Sequence, residues 1–129
     1  MQIDLERKLI EKFFIKEKKD RYLTFIEKEK TRKKFLDELY HFKDLNWKLF
    51  QKIQTNQNER EVILKKINSK KNITSCYAIS SDPNFDGRFF SISDAIVEIV
   101  GIEGTILIFG EAEVVYYEAE AFDGRYISL

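Results

Sequence analysis

A chain of 129 residues, 43% of them hydrophobic, suffices for one self-supporting core, since a domain of this size buries roughly two thirds of the surface its unfolded form exposes. One cysteine and one histidine exclude an internal disulfide, a two-histidine metal site and an HExxH helix within a single chain. The net charge of zero hides a split: residues 1–71 carry 20 Lys and Arg against 12 Asp and Glu, net +8, and residues 72–129 carry 2 against 10, net −8. We read one domain over 1–129, with a basic helical part to residue 71 and an acidic part after it.

In chain order, Leu5, Leu9, Ile10, Phe13 and Phe14 recur at helical spacing among charged residues and predict a helix over residues 4–18. A second stripe, Tyr22, Leu23, Phe25 and Ile26, stops at the run EKEKTRKK and resumes at Phe35, Leu36, Leu39, Tyr40 and Phe42. The run either projects into solvent or breaks the helix, and it reads as the most exposed basic surface of the chain. Asp44 is placed to cap a short helix burying Leu45, Trp47 or Leu49, Phe50 and Ile53. Asn58 with Glu61 forms a capping pair ahead of a helix over 59 to about 69.

The composition then turns to strands. Ile73–Ser80 is β-rich and nearly uncharged, SSDPNFDGRFF reads as a loop, and Ser91 with Asp94 caps a helix that stops at Gly101. Thr105–Phe109 and Val114–Ala119 read as strands joined by a tight Gly110-Glu111 turn, and Arg125–Leu129 as the last strand. The class is α+β: an N-terminal helical layer on a mainly antiparallel sheet of about four strands, ordered β-α-β-β-β in the second half.

The tetrapeptide FDGR occurs twice, at Phe85–Arg88 and Phe122–Arg125. Asp-Gly between apolar runs signals a type I′ turn, because both central residues there need positive φ. Arg88 and Arg125 are the only cations after Lys71, so each either neutralises nearby acids or binds an anion. For Arg88 the anion reading gains from the helix that starts just after it.

His41, Asp44 and Cys76 are the residue types of a thiolate, base and orienter set, although no local spacing links them. Cys76 in an apolar strand reads better as a core residue and His41 as a packed or capping residue. Glu111, Glu113, Glu118 and Glu120 alternate between faces, which argues against a shared cation and for a charged edge or an acidic docking surface. Lys28, Lys30, Arg32, Lys33 and Lys34, with Tyr22, Phe25 and Phe35 nearby, are the residues by which nucleic acid would be bound.

The segments Arg21–Asn46, Cys76–Arg88, Gly104–Ala121 and Arg125–Leu129 resemble a family of small uncharacterised bacterial proteins over residues 20–129. The chain departs from that family's Pro-Gly turn at Gly110-Glu111. The resemblance implies a bacterial cytosolic protein and brings no catalytic or binding role. With no apolar run long enough for a membrane span and an unpaired cysteine, cytoplasmic residence without a membrane partner is the expectation.

The function expected is that of a non-catalytic protein engaging a macromolecular partner, most simply a protein, through its charged faces, as an immunity-type antidote or accessory subunit does. No cofactor or metal is called for, and opposite charges also suit a homo-oligomer. The alternatives are a small enzyme or anion-binding protein using His41, Asp44, Arg88 and Arg125, and nucleic-acid binding around residues 21–34.

Overall fold

Six antiparallel strands form one sheet in the order β1-β6-β5-β4-β2-β3 in the computed structural model, which describes residues 1–121 and 124–129. The strands are β1 Phe50–Ile53, β2 Ser75–Ser80, β3 Arg88–Ser91, β4 Thr105–Phe109, β5 Val114–Glu118 and β6 Arg125–Ser128. The α+β class holds, but two strands lie where the sequence suggested otherwise. Asp44 starts no helix: Asn46 caps a 3-10 turn at Trp47–Leu49 and the chain continues directly into β1, paired with β6. β3 emerges from the supposed loop and pairs with β2. Both are four-residue outer strands, too short to show a period-2 pattern clearly.

The helices are α1 Ile3–Phe13, α2 Lys19–Phe25, α3 Glu29–Glu38, α4 Glu59–Asn68 and the short α5 Ile92–Asp94. α1 ends earlier than its stripe suggested, because Phe14 turns extended and bridges Leu45. The charged run breaks the second helix: Lys28 is extended, and Thr31 donates from Oγ1 to the carbonyls of Phe25 (2.8 Å) and Lys28 (3.2 Å) at the corner between α2 and α3. Asn58 caps α4 as its spacing indicates, its Oδ1 accepting from the amides of Arg60 and Glu61. Ser91 likewise accepts from the Asp94 amide at 3.0 Å. α5 then widens into a π-helical turn, Ala95–Ile99, closed by the Val100 amide on the Ala95 carbonyl.

Helices cover both faces of the sheet. α1 with the Phe14 that follows it, α2 and α3 bury Leu9, Ile10, Phe14, Tyr22 and Phe35 against Tyr77, Ile79, Ile106, Ile108, Val115 and Tyr117. α4 and the α5 turn bury Ile63, Ile67, Ala95 and Ile99 against Cys76, Ala78, Leu107, Phe109, Val114 and Tyr116. α4 therefore lies across the sheet from the other N-terminal helices, a correction to the single helical layer expected. β4 is buried at every position, which is why TILIF shows no alternation. Each large side chain so covered contributes roughly 1.5–3 kcal/mol.

The β4–β5 connection is longer than a two-residue turn, since Phe109 pairs with Val114 across four intervening residues. Gly110 (φ 65°) and Ala112 (φ 64°) both adopt left-handed backbone there, and Lys12 Nζ donates to the Ala112 carbonyl at 3.0 Å.

Candidate functional site

The first FDGR copy supplies a largely buried counter-ion to a buried arginine. Asp86 does not have the positive φ of a type I′ turn; only Gly87 does. Its carboxylate accepts from Arg32 Nη1 (2.5 Å) and Nη2 (2.9 Å), and from the Ser80 amide at 3.0 Å. On its other side the same guanidinium donates from Nε and Nη2 to Glu6 at 2.9 and 2.8 Å. Tyr77 Oη donates to Glu6 Oε2 at 2.5 Å and accepts from the Gln2 amide at 3.1 Å. Arg32 is 2% exposed and Glu6 1%.

Burial alone would lower the Arg32 pKa, but the bonds from Asp86 and Glu6 outweigh it and hold the group more firmly protonated than usual. Two carboxylates flanking one guanidinium join α1, α3 and the β2–β3 loop. Arg32 is therefore absent from the exposed basic surface expected of it. Lys28, Lys30, Lys33 and Lys34 remain exposed, and among the described residues none makes an ion pair. Lys30 and Lys33 edge an open cleft of about 460 Å³ between α3 and residues 80–86, with Arg32 and Asp86 also lining it.

The three catalytic candidates do not converge. Cys76 is buried on the α4 side of β2, where desolvation pushes its thiol pKa up and disfavours a thiolate. His41 is exposed on the other side of the sheet, its Nε2 2.8 Å from Glu120 Oε2. Asp44 accepts from Tyr22 Oη at 2.5 Å, and its backbone carbonyl accepts from the Ile15 amide. His41 lines an open cleft of about 470 Å³ with Phe42, Lys43, Trp47, Tyr117 and Tyr126. Trp47 packs on Tyr126 with ring centroids 4.7 Å apart. That aromatic wall was not foreseen, because it joins residues about 80 positions apart in sequence.

The two repeat arginines also part company. Arg88 is exposed on the outer strand β3, and Arg125 lies on β6 at the far side of the sheet. Arg125 pairs with Glu59 through Nη1 and donates from Nη2 to the Gln54 carbonyl at 3.1 Å, fastening β6 to the start of α4. In the second FDGR copy Phe122 and Asp123 lie outside the described residues, so the turn expected there is not characterised; Gly124 has φ 96°.

The acidic string is divided, but not by strand alternation: Glu111 and Glu113 lie in the β4–β5 connection, and Glu118 and Glu120 face opposite sides of the sheet. Glu118 is nearly buried, accepting from Tyr116 Oη (2.6 Å) and the Gly101 amide (2.9 Å). Glu111 pairs with Lys8 at 2.6 Å, which raises the lysine pKa. Glu113 accepts from the Glu111 amide, and Glu120 faces His41. Among the described residues no three His, Cys, Asp or Glu are grouped to hold a metal ion. Lys8–Glu111 and Arg32–Asp86 join the two oppositely charged halves, the first at the surface and the second largely buried.

Two outcomes follow from these contacts. Arg32→Met should cost about 3–5 kcal/mol in urea denaturation, because it strands the buried Glu6 and the largely buried Asp86, whereas Lys30→Met should stay within about 0.5 kcal/mol; equal small effects would contradict the burial. Burial first, then the carboxylates Asp44, Glu6 and Glu118, raise the pKa values of Tyr22, Tyr77 and Tyr116 above the ordinary 10.0. A raised folded value favours the protonated phenol, so this stabilisation is complete below about pH 10 and is lost as the pH rises further. In a spectrophotometric titration their phenolate signal should appear only with cooperative unfolding; gradual ionisation of a still-folded chain would count against it.

Comparison with protein-family models, with curated proteins and with solved structures found no match to this chain.

Proposed function

We propose that this protein is a non-catalytic binding protein whose macromolecular partner docks an acidic surface on the α2–α3 corner, in the manner of an antidote or an accessory subunit in a bacterial cell. The observation carrying the proposal is the set of four exposed lysines, Lys28 at the start of α3 and Lys30, Lys33 and Lys34 on it, where the helix's inward cation is locked by two carboxylates. Exposed like charges on a rigid element give a partner speed and orientation more than raw affinity. The acidic residues offered as a second docking face are less available: Glu118 is buried, and Glu111 and Glu120 already face Lys8 and His41.

An acidic protein suits this surface better than nucleic acid does. Binding a single strand beside the lysines would draw on aromatic faces for stacking, and of Tyr22, Phe25 and Phe35 the first and last are fully buried and Phe25 is half-buried. The dispersal of His41, Asp44 and Cys76 gives the enzymatic alternative no assembled set, and Arg88 and Arg125 stand too far apart across the sheet for a shared anion.

The test is affinity capture from a bacterial host with nuclease present, repeated with a Lys30→Glu/Lys33→Glu/Lys34→Glu variant of confirmed native circular dichroism. The proposal expects one stoichiometric acidic protein, released by moderate salt and weakened at least ~10-fold by the triple reversal. Capture of nucleic acid alone, or a protein held equally by the variant, would overturn it.

A further inference from the structure

Strand β3 is an outer strand with one neighbour. It pairs with β2 through Ala78↔Arg88, Tyr77↔Phe89, Cys76↔Phe90 and Ser75↔Ser91, and among the described residues no second strand pairs with it. The other outer strand, β1, presents Gln51 and Lys52 to solvent, and a lysine is a common guard against edge pairing. β3 instead exposes Phe89, 51% accessible, with its ring on Tyr77 at 5.1 Å between centroids.

From this edge we propose that a second copy of the chain adds antiparallel to β3, making a two-fold dimer with a continuous twelve-stranded sheet, twice the six of one chain. This goes beyond the proposed docking of a partner on α3 and does not depend on it.

Symmetry restricts the register. Residues directly opposite in an antiparallel pair share a face, so the two-fold axis must pass through a residue and not between two. An axis through Phe89 sets the two exposed phenylalanine rings side by side on one face and brings Arg88 opposite the partner's Phe90. Arg88 lies on the α5 face of the sheet, since it is opposite Ala78, which packs in the core beneath α4 and α5.

Charge then matches at both ends of the paired strands. α5 begins one residue after β3 and carries Asp94, exposed. Among the described residues neither Arg88 nor Asp94 has an ion pair within its own chain. The antiparallel arrangement carries each Arg88 toward the partner's Asp94, twice by symmetry, and so supplies the carboxylate that the single chain does not. Arg88 is then an interface residue, and the first FDGR copy divides its labour: Asp86 binds inward to Arg32 and Arg88 binds outward.

The test is sedimentation of the intact chain from about 1 µM to about 1 mM, a range that spans weak and moderate association. The wild type should pass from monomer to dimer. Phe89→Lys, which sets like charges across the axis, and Arg88→Glu should each raise the dissociation constant at least ~10-fold, and Arg88→Glu combined with Asp94→Arg should recover most of it. In Phe89→Cys, mild oxidation should yield a covalent dimer, while Ser93→Cys should not. A chain monomeric throughout, a dimer indifferent to Phe89→Lys and Arg88→Glu, or a double variant as weak as the single ones would each overturn the proposal.

Discussion

The structure depends on one buried cation. Arg32 lies between Glu6 and Asp86, with Tyr77 completing the hydrogen bonds of Glu6, and each of these residues comes from a different element. Such a cluster adds less to stability than its geometry suggests, since desolvation offsets most of the attraction. Its effect is on arrangement: α3 packs with that side inward or leaves a charge unpaired in a dry site. The outward face of α3, with its lysines, is thereby determined as well. Asp86 also takes the Ser80 amide, so the loop between β2 and β3 is fixed to the same point.

The second constraint is the sheet itself. With helices on both faces, alternate residues of one strand enter separate cores, and this is what separates Cys76 from His41 despite their compatible chemistry. The central strands β4 and β5 are buried throughout, so their side chains are closed to any partner. Charge follows the same division. Lys8–Glu111 and Arg32–Asp86 pair opposite charges of the two halves, while Lys30, Lys33 and Lys34 on α3 and, at the β3 edge, Arg88 and Asp94 make no ion pair among the described residues.

Much of this was legible in the sequence where local chemistry decides. The caps at Asn58 and Ser91 and the strands around TILIF and VVYYE follow from short-range rules that tertiary contacts did not overrule, whereas the helix expected up to Gly101 ends as a π-turn at Ile99. The outer strands β1 and β3 were missed because four residues carry too little pattern. The buried cluster also has a signal in the sequence. Arg32, Phe35, Leu36 and Leu39 fall at i, i+3, i+4 and i+7, as do Glu6, Leu9, Ile10 and Phe13. A charged residue in register with an apolar stripe is a candidate for burial with a partner of opposite charge. Two such residues of opposite sign, on two helices, made a pair that could be expected; Asp86 and the Trp47–Tyr126 wall, joined only through folding, could not.

Hydrogen exchange resolved along the chain tests most directly whether Arg32 governs the arrangement. In the wild type the amides of α1, α3 and residues 80–87 should open together, as one cooperative unit. Asp86→Asn should reduce protection in all three segments by a similar factor while leaving α4 nearly unchanged. Faster exchange confined to residues 82–87, with α1 and α3 as well protected as before, would show that the cluster decorates the fold and does not organise it.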